Sequence, residues 1–120
     1  MDRIEKVNEQ MKREISHILQ ADLKDPRVQL STITQVVVSR DLRHAKVSFS
    51  VLGDAKKVRE AQESLNKARG YIRKLIGERI NLRYTPEIDF VYDKSIEYSA
   101  RIEQALEEIK NEHKEDPSNH

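Results

Sequence analysis

Leu65–Arg83, LNKARGYIRKLIGERINLR, carries two patterns at once. Its apolar residues Leu65, Ala68, Ile72, Leu75, Ile76 and Ile80 recur at helical spacing. Between them stand Lys67, Arg69, Arg73, Lys74, Arg79 and Arg83. Gly70 falls inside this run, at the end of the triplet Ala68-Arg69-Gly70. An interior glycine costs a helix about 1 kcal/mol relative to alanine. The pattern therefore predicts two helices meeting at this triplet, a helix–kink–helix unit. A helix starting there exposes unpaired amides and the positive end of a dipole, and both attract phosphate.

Outward from this stretch the periodicity changes. On the N-terminal side, Asp54 is placed to cap the helix that carries Ala55, Val58, Ala61, Leu65 and Ala68. Before it, Ala45, Val47, Phe49 and Val51 alternate with Lys46, Ser48 and Ser50, which predicts a strand with one dry face. Ile33–Ser39 contains Val36-Val37-Val38 and predicts the partner strand, joined through the turn Arg40–Arg43 as an antiparallel hairpin. Asp2 is placed to cap a first helix with Ile4, Val7, Met11, Ile15, Ile18 and Leu19 on one stripe. Asp25-Pro26 is expected to end any helix that reaches it.

On the C-terminal side, the second half of the central pair runs to about Asn81, and Glu87–Tyr92 predicts a third strand. Ser95 is a candidate cap for a last helix with Tyr98, Ile102, Ala105, Leu106 and Ile109 on one face. The order is α-β-β-α-α-β-α, an α+β fold with a three-stranded sheet packed against helices. Residues 1–112 are expected to form one domain. Residues 113–120, HKEDPSNH, are polar and are expected to be disordered.

Composition narrows the function classes. Of 120 residues, 36% are charged and none is cysteine, so neither a disulfide framework nor a thiolate zinc site is available. No run of 18 apolar residues occurs and Met1 is not followed by an apolar leader, which points to a cytoplasmic protein without a membrane partner. The net charge of +1 hides a split. Lys56–Arg83 holds nine basic and three acidic residues, whereas Glu97–His120 holds three basic and seven acidic ones. The central excess favours a polyanion, although for a charge run alone a solvated helix surface is the better explanation. His17, His44, His113 and His120 are scattered without metal-ligand spacing, and no phosphate loop or nucleophile elbow is present. No catalytic residue, metal or cofactor is expected.

The element order resembles the KH fold of the second topological type, with Ala68-Arg69-Gly70 standing where that fold carries GxxG. Further motifs follow in matching order over residues 2–110. They are Ser39-Arg40-Asp41-Leu42, Ala45-Lys46-Val47, Leu65-Asn66, Arg73, Arg79, Leu82-Arg83-Tyr84-Thr85-Pro86-Glu87 and Phe90-Val91-Tyr92-Asp93. Together they resemble bacterial ribosome-binding factor A, a KH-like family with an AxG kink. The resemblance implies a non-enzymatic maturation factor. It would bind the free 30S small ribosomal subunit and 16S rRNA, assist late assembly and 16S processing, and matter most in the cold.

The RNA-facing candidates are Lys67, Arg69, Gly70, Arg73, Lys74, Arg79 and Arg83, extended by Arg40, Arg43 and Lys46 at the hairpin. Three of these and two neighbouring tyrosines have a plainer reading. Gly70 suits a tight helix-packing contact, Arg79 and Arg83 suit surface pairs with Glu78 or Glu87, and Tyr71 and Tyr84 suit packing as well as base stacking. The competing function is a protein–protein adaptor docking through the amphipathic terminal helices, with the acidic C-terminal segment as a lid over the basic face. A monomer that binds RNA and not DNA is expected, with mainly electrostatic affinity. About five phosphate contacts would make log K fall against log salt with a slope of roughly −3.5 to −4.5.

Overall fold

The structure is a computed structural model that describes residues 2–115. Helix α1 spans Arg3–His17. Asp2 caps it, its Oδ1 accepting the Glu5 N–H at 2.8 Å. Val7, Met11 and Ile15 form its buried stripe, and a π-helical turn over Ile18–Asp22 buries Ile18 and Leu19 as well. Asp25-Pro26 does not merely end a helix, as expected, but opens another. Pro26 is the first residue of α2, Pro26–Gln29, and the Asp25 carboxylate accepts the Arg27 N–H at 3.0 Å. Proline suits a first helical position because its fixed φ is helical and its missing N–H would have had no partner there.

Strands β1 (Ser31–Val38), β2 (His44–Val51) and β3 (Glu87–Tyr92) form one sheet in the order β1-β2-β3. β1 and β2 are antiparallel, and β2 and β3 are parallel. The parallel pair requires a crossover, which α3 (Ala55–Arg79) supplies. Ile33 and Val36 are both buried although three positions apart, and strict alternation would put them on opposite faces. An irregularity between Ile33 and Gln35 resolves this by adding one residue to β1, so that Ile33 opposes Phe49 and Val36 opposes Val47. Val38, Ala45, Ile88 and Phe90 complete the dry face. α1 packs on it at β1, and α3 packs on it at β3.

The expected pair of helices meeting at Gly70 is not observed: α3 is one uninterrupted 25-residue helix, capped by Asp54 through the Lys57 N–H at 3.1 Å. Energetics explain the difference. Leu65, Ile72 and Ile76 are fully buried on both sides of the glycine. Each is worth about 1.5–3 kcal/mol on burial, more than the single propensity penalty of about 1 kcal/mol. Gly70 therefore offers no helix N-terminus, and no unpaired amides arise there.

α4 spans Lys94–Glu115. Its cap is Asp93 in place of Ser95, the Ser95 N–H donating to Asp93 Oδ1 at 3.0 Å. The helix continues through residues 113–115, where the tail was expected to begin. The rest of that tail, 116–120, lies outside the described residues, as does the side chain of Tyr98. α4 projects from the body of a molecule 69 Å long, and Ile102, Leu106 and Ile109 are exposed on it. No helix among the described residues is long and apolar enough to cross a membrane.

Candidate nucleic-acid interface

From Lys67 onward, the basic residues of α3 separate into three rows by what they touch. Lys67, Gly70 and Lys74 lie at i, i+3 and i+7 on one exposed face, and Tyr71 beside them is 46% exposed. A β-carbon built on Gly70 would meet nothing within 4 Å. The tight-packing explanation therefore fails for Gly70. It fits Gly77, where a β-carbon would lie 2.8 Å from Thr85 Oγ1. An interior helix position that costs stability and fills no contact leaves open space between two lysines.

A second row faces β3. Gln62 Nε2 donates to the Phe90 carbonyl at 2.9 Å, Arg69 Nη1 to the Ile88 carbonyl at 3.4 Å, and Arg73 Nε and Nη2 to the Pro86 and Thr85 carbonyls at 2.9 and 3.0 Å. Arg73 also lies 3.5 Å from Glu87. β3 is an edge strand, and an unpaired edge is a template for wrong pairing unless something covers it. Arg69 and Arg73, read from sequence as RNA contacts, are held by this edge. The third row is Arg79, whose Nη1 donates to Asp22 Oδ2 at 2.9 Å and lies 3.8 Å from Glu14. It ties the end of α3 to α1 and the π-helical turn, in place of the expected pairing with Glu78 or Glu87.

The hairpin turn carries the remaining cations. Ser39 Oγ donates to Asp41 Oδ1 at 2.6 Å and accepts the His44 N–H at 3.0 Å, and Asp41 also accepts the Arg43 N–H at 3.0 Å. Leu42 is held at φ 62° between them, a left-handed conformation that costs a non-glycine residue roughly 1–2 kcal/mol. The Glu87 N–H donates to the Arg43 carbonyl at 2.8 Å, joining this turn to the start of β3. Arg43 and Arg83 consequently meet at Tyr84, each guanidinium carbon 5.4 Å from the ring centroid. Arg40 is exposed on the same turn. Lys46 lies on the sheet face away from the helices, opposite Val37 and Asp89. The structure thus gathers Lys67, Gly70 and Lys74 in one place and Arg43 and Arg83 in another. Sequence reasoning weighed Tyr84 but did not place it as the bridge. Its position between two arginines in chain space is visible only once the turn is folded onto β3.

The carboxylates give a pH signature. The Arg79 guanidinium beside Asp22 holds its carboxyl below the ordinary 3.8, and the Ser95 and Thr34 hydroxyls do the same for Asp93. A carboxyl with a lowered folded pKa stabilises the fold above its unfolded value, and loses that contribution as pH falls through the folded one. Stability against urea is expected to stay level from pH 7 to about 5 and to fall below about pH 4. Asp22→Asn/Asp93→Asn should flatten the acid limb, and an unchanged limb would count against both contacts.

The family profile described as Ribosome-binding factor A matches residues 3–106 of this chain. A ribosome-binding factor A from Halothermothrix orenii is 52% identical over 114 residues, covering 95% of this chain and 93% of that one. The Acetivibrio thermocellus protein of the same name is 49% identical over 115 residues, covering 95% and 94%. Among solved structures, a putative ribosome binding factor A from Thermotoga maritima superposes with a TM-score of 0.65 at 32% identity, over 72% of this chain and 83% of that one. A Thermus thermophilus ribosome binding factor A, fitted as a homology model into a cryo-electron microscopy map of its complex with the 30S subunit, gives 0.61 at 25% identity, over 72% and 91%.

Proposed function

This chain belongs to the ribosome-binding factor A family, and we propose that it binds the free 30S subunit by laying the outward face of α3 on 16S rRNA. It acts there as a late maturation factor that supports 16S processing, with its largest effect in the cold. It works in the cytoplasm as a monomer, on RNA and not DNA, and without covalent catalysis. The fold is read as KH-like of the second type, with Ala68-Arg69-Gly70 at the position of the GxxG loop. The observation that carries the reading is the open space at Gly70 between Lys67 and Lys74. A backbone of phosphates fits there because both lysines are exposed and Gly70 adds no side chain of its own, with Tyr71 standing beside it. Arg40, Arg43 and Arg83 extend the contact at the hairpin end, whereas Arg69, Arg73 and Arg79 are engaged by contacts within the fold and support it indirectly.

The test is co-sedimentation with free small subunits, large subunits and assembled ribosomes at two salt concentrations. Binding confined to free small subunits, with the salt slope of roughly −3.5 to −4.5 expected for about five phosphates, supports the reading. Absence of binding to any particle overturns it. Gly70→Ala separates the two roles of the glycine. It should stabilise the free protein by about 0.5–1 kcal/mol. A methyl in the contact should weaken particle binding about tenfold, the effect of some 1–3 kcal/mol of overpacking. Stabilisation with unchanged binding would move the contact off this face.

A further inference from the structure

A shallow groove of about 330 Å³ lies where the β1–β2 turn meets the segment between α3 and β3, lined by Arg43, His44, Tyr84, Thr85 and Glu87. Its backbone frame is held before any ligand arrives. Arg43 is tied to β3 by its carbonyl, and the Thr85 carbonyl is held by Arg73. Tyr84 is 49% exposed, and two guanidinium groups steady its ring. This size stands at the lower end of small-ligand clefts, enough for one nucleotide and too little for a duplex.

The lining selects among anionic and aromatic occupants. A phosphate would gain from Arg43 and from the Tyr84 hydroxyl, but it would meet the Glu87 carboxylate, which is 64% exposed, and would leave the tyrosine ring face unused. A nucleobase uses all of these. Its π-face stacks on tyrosine or on a guanidinium plane, its ring N–H or amino groups donate to Glu87, and its ring nitrogens and carbonyls accept from Arg43. We infer that this groove takes one unpaired base of single-stranded RNA, stacked at Tyr84. The inference rests on the RNA-facing reading above and adds to the phosphate contacts on α3 a site that holds a base.

The experiment is fluorescence anisotropy with labelled six-residue oligoribonucleotides of A, C, G or U, against an abasic ribose-phosphate chain of the same length and charge. At least one base-bearing chain should bind about tenfold more tightly than the abasic one, within the range of measured base–aromatic stacking. Tyr84→Leu should remove that preference while Tyr84→Phe keeps it, and circular dichroism should show both variants folded. In the wild type, the Tyr84 ring protons should shift upfield on titration, a readout that needs no variant. Equal binding of abasic and base-bearing chains, no binding of any chain, or a preference that survives in Tyr84→Leu overturns the inference. Wild-type co-sedimentation with free small subunits keeps the outcomes apart. If it persists while the base preference fails, only the groove is lost. If both fail, the RNA reading falls as well.

Discussion

Lys67→Glu/Lys74→Glu should lower affinity for free small subunits about 100-fold at low salt. A unit charge about 4 Å from a phosphate is worth roughly 1 kcal/mol in water-like surroundings. Reversing two such charges turns two attractions into two repulsions, about 3 kcal/mol after screening. The salt slope should shrink by about 1.5–2, since two phosphate contacts disappear. The fold should lose little. Both lysines are exposed, and the substitutions remove the i,i+4 pairings available with Glu63 and Glu78 and set like charges in their place, about 1–2 kcal/mol in all. Lys67→Gln/Lys74→Gln should lose about half as much in log K without introducing repulsion. Full particle binding by the charge-reversed protein, with its fold intact, would leave the hairpin end or the projecting α4 as the docking surface.

Much of the architecture could be read from local chemistry, because the signals were local. Asp2 and Asp54 cap helices three residues ahead of the amides they bind. The alternation in Glu87–Tyr92 gave the bounds of β3 without error, since one buried face forces period two. What stayed hidden depended on partners far along the chain. Arg73 binds carbonyls 12 and 13 residues away, and Arg79 binds a carboxylate 57 residues away. A backbone carbonyl leaves no residue-type signature, so a clamped arginine and a solvated one look alike in sequence. The same limit explains Gly70. Propensity scores one residue, whereas continuity of α3 is decided by the core contacts of its neighbours. The sequence pattern put Gly70 and its lysines at a helix start, whereas in α3 they lie on an exposed mid-helix face. Exposure of Ile102, Leu106 and Ile109 was equally invisible, because a 3.6-residue stripe shows that a helix has an apolar face and not that anything covers it.

Arg73 supplies the sharper test, because its two readings predict opposite results. As a clamp on the β3 edge it donates two charged hydrogen bonds to main-chain carbonyls, and Pro86 is itself buried. Such bonds contribute about 1.5–3 kcal/mol where they are sheltered. The side chain is 32% exposed, so water replaces part of what is lost. Arg73→Met should therefore destabilise the protein by about 2 kcal/mol and lower Tm by about 8 °C. Amide exchange in Glu87–Tyr92 should accelerate more than elsewhere, because the lost contacts are local to that strand. Arg73→Lys decides what kind of contact this is. A lysine keeps the charge but has no planar fork to reach two adjacent carbonyls. It should recover little of the stability, while restoring whatever binding depends on charge alone. A lysine variant as stable as the wild type would remove the clamp. An unchanged Tm in Arg73→Met, together with a large loss of particle binding, would return Arg73 to the RNA-facing set. With the clamp in place, Arg73 contributes to binding indirectly. Holding Thr85 and Pro86 fixes the segment that carries Arg83 and Tyr84, so its loss should weaken the hairpin-end contact while leaving the Lys67–Gly70–Lys74 face intact.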